Sequence, residues 1–329
     1  MTAADPLVSV IVLTHNRLRL MRDAVQTLCA QDYPGEALEI IVVNDGSTDG
    51  TRAWLEAEAG RNPRLRAVHQ PALGIPAARN AGIRAARGDF IAIVADDYLL
   101  APDYVSTFVR FFQAHPEASI MRFGIVPADR WPGSLLSHFY YEVSFRKRLQ
   151  PRQWPASASR REKLRFHFRK LPAEPDTITT DHRLEAAGAA AFRRAVFDRV
   201  GRFDENLKRA EDTDLSVRLR NLGIPIHYNP HHKIRHRYGR WGGDTIAKNY
   251  ESGIYAARLQ AKLAATSETP DAAPEGLAHR ALSLIGRTRQ AANPLTALLL
   301  FPGILLLECV WLVGYWRGKR TQPPTSKSR

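Results

Sequence analysis

The amino-terminal part of the chain alternates apolar runs with amphipathic stretches. "VSVIVL" (8–13) is a continuous β-branched run, the pattern of a strand buried on both faces. After Asn16, which suits an N-cap, Met21, Ala24, Val25, Leu28 and Cys29 recur at helical spacing until Pro34-Gly35 stops them. "EIIVV" (39–43) predicts a second buried strand, ending in the turn and cap cluster "NDGSTDGT", and a helix follows near 49–59. "LRAVHQ" (65–70) predicts a weaker strand, 76–86 a helix, and "DFIAIV" (89–94) another strand. Pro102 suits the first turn of a helix that buries Val105, Phe108, Val109 and Phe112. Strand and helix in alternation with short links imply a doubly wound, mainly parallel, Rossmann-like α/β sheet.

Ligands of such sheets sit beyond the carboxyl ends of the strands. Thr14–Arg17, Asn44–Ser47 and Asp96-Asp97 all follow predicted strand ends, so three polar clusters converge on one edge. The adjacent aspartates repel each other and lose hydration there, which calls for hydrogen bonds or a cation.

Further along, "AAAFRRAVFDRVGRFDENLKRAEDTDLSVRLRNLGIPIHYNP" predicts a helix at 191–200, a second near 211–222 ended by Gly223, and a strand at 224–228. Residues 127–183 are basic, aromatic and Pro-punctuated, an insertion rather than a separate domain. The expected organisation is an α/β domain over 1–243 carrying that insertion. A helical extension and linker (244–292) and an apolar segment with a basic tail (293–329) follow.

The net charge of +14 and pI near 10.1 point to anionic partners. Only Cys29 and Cys309 occur, so no disulfide framework is expected, and the start of the chain shows no secretory signal. The apolar run Leu295–Trp316 would span about 33 Å as a helix, enough for a bilayer. Pro302-Gly303 and Glu308 interrupt it, and arginines or lysines flank both ends. A re-entrant or interfacial hairpin keeps both flanks on one side and uses Trp311, Tyr315 and Trp316 at the interface. A single span, or packing on soluble protein, is the alternative.

Four ordered pieces, "VSVIVLTHNR", "EIIVVNDGSTDGT", "GIPAARNAGIRAARGDFIAIVADD" and "AFRRAVFDRVGRFDENLKRAEDTDLSVRLRNLG", resemble family 2 glycosyltransferases of the GT-A fold. No G-x-G-x-x-G follows the first strand, which counts against a dinucleotide-binding dehydrogenase. The resemblance implies a nucleotide-diphosphate sugar donor (UDP- or dTDP-sugar), a glycan or lipid-linked acceptor in cell-envelope polysaccharide synthesis, and inversion. It also implies Mg²⁺ or Mn²⁺ on the diphosphate.

Residue by residue, the resemblance gives Asp45 to the base, beside its turn chemistry, and Thr14, Asn16 and Asp96 to the nucleoside. Arg17 and Arg79 either meet the diphosphate or are ordinary helix arginines; a guanidinium suits it by donating bidentately. Where the family reads D-x-D or D-D-D, this chain reads Ala95-Asp96-Asp97, which leaves Asp97 as the metal ligand. His236 would complete the metal shell or belong to a solvated basic loop. Glu211-Asp212 matches the family's "ED" at a helix start, with Asp212 as catalytic base and Glu211 positioning the acceptor. The implied place is the cytoplasmic face of the plasma membrane, with an anionic membrane surface as partner and no nucleic acid. A nucleotidyltransferase is the rival enzyme, and a degenerate sugar-nucleotide-binding or membrane scaffold protein the rival non-enzyme.

Overall fold

A computed structural model describes residues 5–128, 177–181, 184, 186–237, 243–265 and 294–321. The chain divides into two compact units, Met1–Ala128 with Pro175–Arg237, and Asp129–Glu174 with Tyr238–Arg329. Most of the 127–183 insertion, and the polar linker expected at 266–276, lie outside the described residues.

The first unit is built on a sheet of nine strands among the described residues. Strands β1 (Val8–Thr14), β2 (Leu38–Asp45), β3 (Leu65–Gln70) and β4 (Phe90–Ala95) run parallel in the order β3-β2-β1-β4. Helices α1 (Leu18–Cys29), α2 (Thr51–Ala59) and α3 (Ile75–Ala85) connect them. The apolar strands are buried because both faces of this half are covered. α1 buries Met21, Ala24, Val25 and Leu28, the residues its periodicity singles out. α3 lies so close to β1 that a Cβ on Gly82 would overlap the Ile11 side chain.

Beyond β4 the sheet is mixed. Strands β5 (Tyr98–Leu99), β6 (Ile120–Pro127), β7 (Thr179–Asp181), β8 (Ala189–Arg193) and β9 (Ile226–His236) continue it as β4-β8-β6-β9-β5, with β7 also on β9. β8 is antiparallel to both neighbours, and only β6 and β9 pair in parallel here. Helix α4 (Tyr104–Ala114) buries Tyr104, Val105, Phe108, Val109 and Phe112, but begins after Asp103, so Pro102 precedes it. Helices α5 (Ala195–Val200) and α6 (Glu211–Asn221) complete this unit.

Two local expectations are corrected. The helix predicted at 191–200 begins only at Ala195, because residues 191–193 belong to the strand Ala189–Arg193. Its residues are enclosed between β4 and β6, and that burial outweighs propensity. Asn16 does not cap α1: it takes a left-handed backbone (φ 53°), and the Leu18 N–H is accepted by Asp49 instead.

In the second unit, α7 (Gly243–Ala265) and α8 (Pro294–Arg320) pack together. α8 is continuous through Pro302, so the expected break into a hairpin does not occur. Among the described residues no helix is long and apolar enough to cross a membrane. Both cysteines are free.

Candidate active site

The parallel strands end in register, Thr14 beside Asn44 and Leu13 beside Ala95, so the three polar clusters do share one edge. Thr14 is buried at the end of β1. The loops after β1 and β2 hold each other. Asn16 donates its backbone N–H to the Ser47 hydroxyl and accepts the Thr48 N–H on Oδ1. Asp49 accepts the Leu18 N–H and the Thr51 N–H and hydroxyl, tying the starts of α1 and α2 together.

Asp45 is 8% exposed. Its Oδ1 accepts from the Gln70 amide (2.7 Å) and the Leu73 N–H (2.9 Å), and its Oδ2 from the Gly74 N–H (2.9 Å). The carboxylate therefore fastens the loop that launches α3 and keeps lone-pair capacity on Oδ2 alone. Gln70 is a contributor that motif reading missed. Its only signal was its place at the end of the third strand.

The aspartate pair lies in the turn between β4 and β5. One Arg17 nitrogen, Nη1, donates to Asp96 Oδ1 (3.0 Å) and Asp97 Oδ2 (2.8 Å). Antiparallel pairing of β5 with β9 sets Tyr98 opposite His236, which brings His236 Nε2 within 3.3 Å of Asp97 Oδ2. Burial, together with the neighbouring Asp97 charge, pushes the Asp96 carboxyl up to about 6 against the pull of Arg17. Burial raises Asp97 too, but His236 and Arg17 outweigh it and hold that carboxyl below its usual value. Asp97 is the member that stays ionised.

Asp97 Oδ1 is buried and has no hydrogen-bond partner, which leaves a hard oxygen free to meet a hard cation. Among the described residues no three His, Cys, Asp or Glu side chains gather to enclose a metal. Asp97 and His236 fit as two protein ligands, with phosphate oxygens and water needed for the rest.

The second acidic pair opens α6, after Ala210 in a left-handed backbone (φ 69°). Arg79, from α3, donates through Nη1 to Glu211 Oε1 (2.8 Å) and Asp212 Oδ1 (2.6 Å), and its guanidinium covers the Phe203 ring. The arginine side chain is 9% exposed, committed to the acids rather than turned out toward a phosphate. Of the two readings of Arg79, a diphosphate contact or an exposed helix arginine, the exposed one is corrected: the side chain is buried against Glu211 and Asp212. Asn80, beside it, exchanges hydrogen bonds with the Phe203 backbone (2.9 and 3.0 Å) and donates to Glu205. Asn80 also escaped the sequence reading, although the "PAARNAG" stretch contains it.

Burial, then the Asp212 charge, push the Glu211 carboxyl well above the usual carboxylate range, with Arg79 opposing. Asp212 is the more open of the two, its side chain 22% exposed against 9% for Glu211. Its Oδ2 accepts the Ala187 N–H (3.3 Å). The adjacent Gly188 lies against Ala95, where a Cβ on the glycine would stand 3.7 Å from the Ala95 methyl. Asp212 thus reaches the same strand end as the aspartate pair.

The glycosyl transferase family 2 profile matches residues 9–201, which spans all three strand-end clusters and β8. The chain belongs to glycosyltransferase family 2. The chain is 31% identical over 218 residues to the uncharacterized glycosyltransferase EpsJ of Bacillus subtilis, covering 64% of the chain and 55% of EpsJ. It is 30% identical over 240 residues to a validoxylamine A glucosyltransferase of Streptomyces hygroscopicus subsp. jinggangensis, covering 68% and 54%. The chain spans about half the length of these curated relatives. Among solved structures, the mannosyltransferase PcManGT from Pyrobaculum calidifontis, in complex with GDP-Man and Mn²⁺, superposes with a TM-score of 0.58 at 20% identity. That match covers 99% of this chain and 89% of PcManGT. S. aureus TarS 1–349 with UDP-GlcNAc gives 0.50 at 17% identity, covering 96% and 91%. These likenesses establish the GT-A fold.

Proposed function

We propose that this glycosyltransferase moves a sugar from a UDP- or dTDP-linked donor to a hydroxyl of a glycan or lipid-linked acceptor of the cell envelope, with inversion. The observation that carries the reading is the placement of Asp212. It is an accessible carboxylate at a helix start, gripped by Arg79, at the strand end where Asp97 offers an unpartnered oxygen. Asp212 takes the acceptor O–H proton, and the freed oxygen attacks the anomeric carbon from the face opposite the diphosphate. The bond from that carbon to the diphosphate breaks, and its electron pair leaves with the nucleoside diphosphate. Glu211, held deeper, positions the acceptor through the same arginine.

Asp97 and His236 would hold Mg²⁺ or Mn²⁺, which supplies positive charge to the leaving diphosphate. Two structural neighbours support a nucleotide-sugar donor of either base class: PcManGT is in complex with GDP-Man and Mn²⁺, and TarS with UDP-GlcNAc. Calorimetric titration with UDP-, dTDP- and GDP-sugars in Mn²⁺ tests the reading. Saturable binding of a pyrimidine donor followed by its turnover is expected. Binding without turnover would favour the scaffold reading, and no binding by any donor would overturn both.

A further inference from the structure

α7 and α8 meet backbone to backbone. Gly314 lies against Tyr250, and Gly318 against Ile254. A Cβ on Gly253 would overlap the Trp311 carbonyl, one on Gly314 the Tyr250 carbonyl, and one on Gly318 would stand 2.6 Å from the Ile254 carbonyl. The inner face of α8 carries Ile304, Leu307 and Tyr315, all buried, with Trp311 stacked on Tyr315 and the Tyr315 hydroxyl donating to Gln260.

Packing on glycines leaves large side chains of α8 pointing the other way. Leu306, Val313 and Trp316 are 54%, 61% and 60% exposed. Steps of seven and three residues put them on one helical stripe, with the half-buried Val310 between. The stripe runs into exposed Arg317, Lys319 and Arg320, and the Lys319 ammonium lies over the Trp316 ring. An apolar face that ends in tryptophan and a basic cluster is the arrangement of a helix lying at a bilayer interface.

We propose that the Leu306–Val313–Trp316 face of α8 docks in the plane of an anionic lipid surface, its apolar side chains among the acyl chains and its basic end on the headgroups. A second copy is a poorer occupant, because each chain carries a net charge of +14 and two copies repel each other. An anionic leaflet complements that charge. Crossing is not required of this helix, which among the described residues is not apolar enough to span. Docking does not depend on sugar transfer, so either can fail alone.

The test is co-sedimentation of the full chain with phosphatidylcholine vesicles and with vesicles containing phosphatidylglycerol, at low and high salt. Wild type is expected to sediment with the phosphatidylglycerol vesicles, less at high salt. Val313→Glu/Trp316→Glu should weaken that binding at least about tenfold, and Arg317→Glu/Lys319→Glu should abolish the preference for anionic lipid. All four positions are exposed, and an unchanged circular dichroism spectrum certifies the fold. Brominated lipid should quench wild-type tryptophan fluorescence more than that of Trp316→Phe. No vesicle binding by wild type, unchanged binding by the variants, or a dimer that Val313→Glu dissociates would each overturn the proposal.

Discussion

Arg79 and Asp212 are joined by a 2.6 Å hydrogen bond across 133 positions of chain, and the same nitrogen holds Glu211 at 2.8 Å. Removing this cation leaves two acids, one of them buried, beside each other. Arg79→Met is expected to cost about 3–5 kcal/mol of stability, read as a lower denaturation midpoint. Arg79→Lys keeps a charge but loses the planar fork. It should reduce kcat by about ten- to a hundredfold with little change in donor affinity. A large loss of donor affinity with kcat intact would return Arg79 to the diphosphate.

Arg17 occupies both members of the other acidic pair, at 3.0 and 2.8 Å. Its charge competes with any cation that would use Asp97. In Arg17→Gln, Mn²⁺ should bind the donor-free protein at least about tenfold more tightly, as measured by electron paramagnetic resonance titration. Equal affinities in the two proteins would show that the guanidinium does not guard the aspartates.

The Glu211 carboxyl is raised from 4.5 to about 7 by burial and by Asp212. Between these values the native state holds more protons than the unfolded chain, so stability falls as pH rises through that window. Glu211→Gln removes this titration and should flatten the stability profile from about pH 4.5 to 7 in urea denaturation. A profile of unchanged slope would place the proton elsewhere.

The parallel half of the sheet was legible because burial on both faces demands continuous apolar runs, as in β1 and β2. The mixed half was not. β8 is an alanine-rich segment whose strand state comes from its neighbours β4 and β6, which lie far from it in sequence. At the site, carboxylates could be placed from their strand-end and helix-start positions, and His236 did arrive at Asp97. Side-chain commitments could not. Nothing local in "PAARNAG" says that Arg79 turns to a helix start 132 residues away, or that Asn80 fastens the Phe203 segment. Pro302 read as a break, yet α8 continues through it.

Gly82 gives a direct check on how tightly α3 packs against β1, where a Cβ would overlap Ile11. Gly82→Ala should destabilise by about 1–3 kcal/mol through overpacking, although alanine favours helix. A stabilised variant would mean that the two elements stand further apart.

Whether Asp212 is the base of sugar transfer is decided by steady-state transfer kinetics of Asp212→Asn, paired with calorimetric donor binding. A fall in kcat of about 10²- to 10⁴-fold is expected, with donor affinity within about threefold of wild type. Transfer at the wild-type rate would rule Asp212 out as the base.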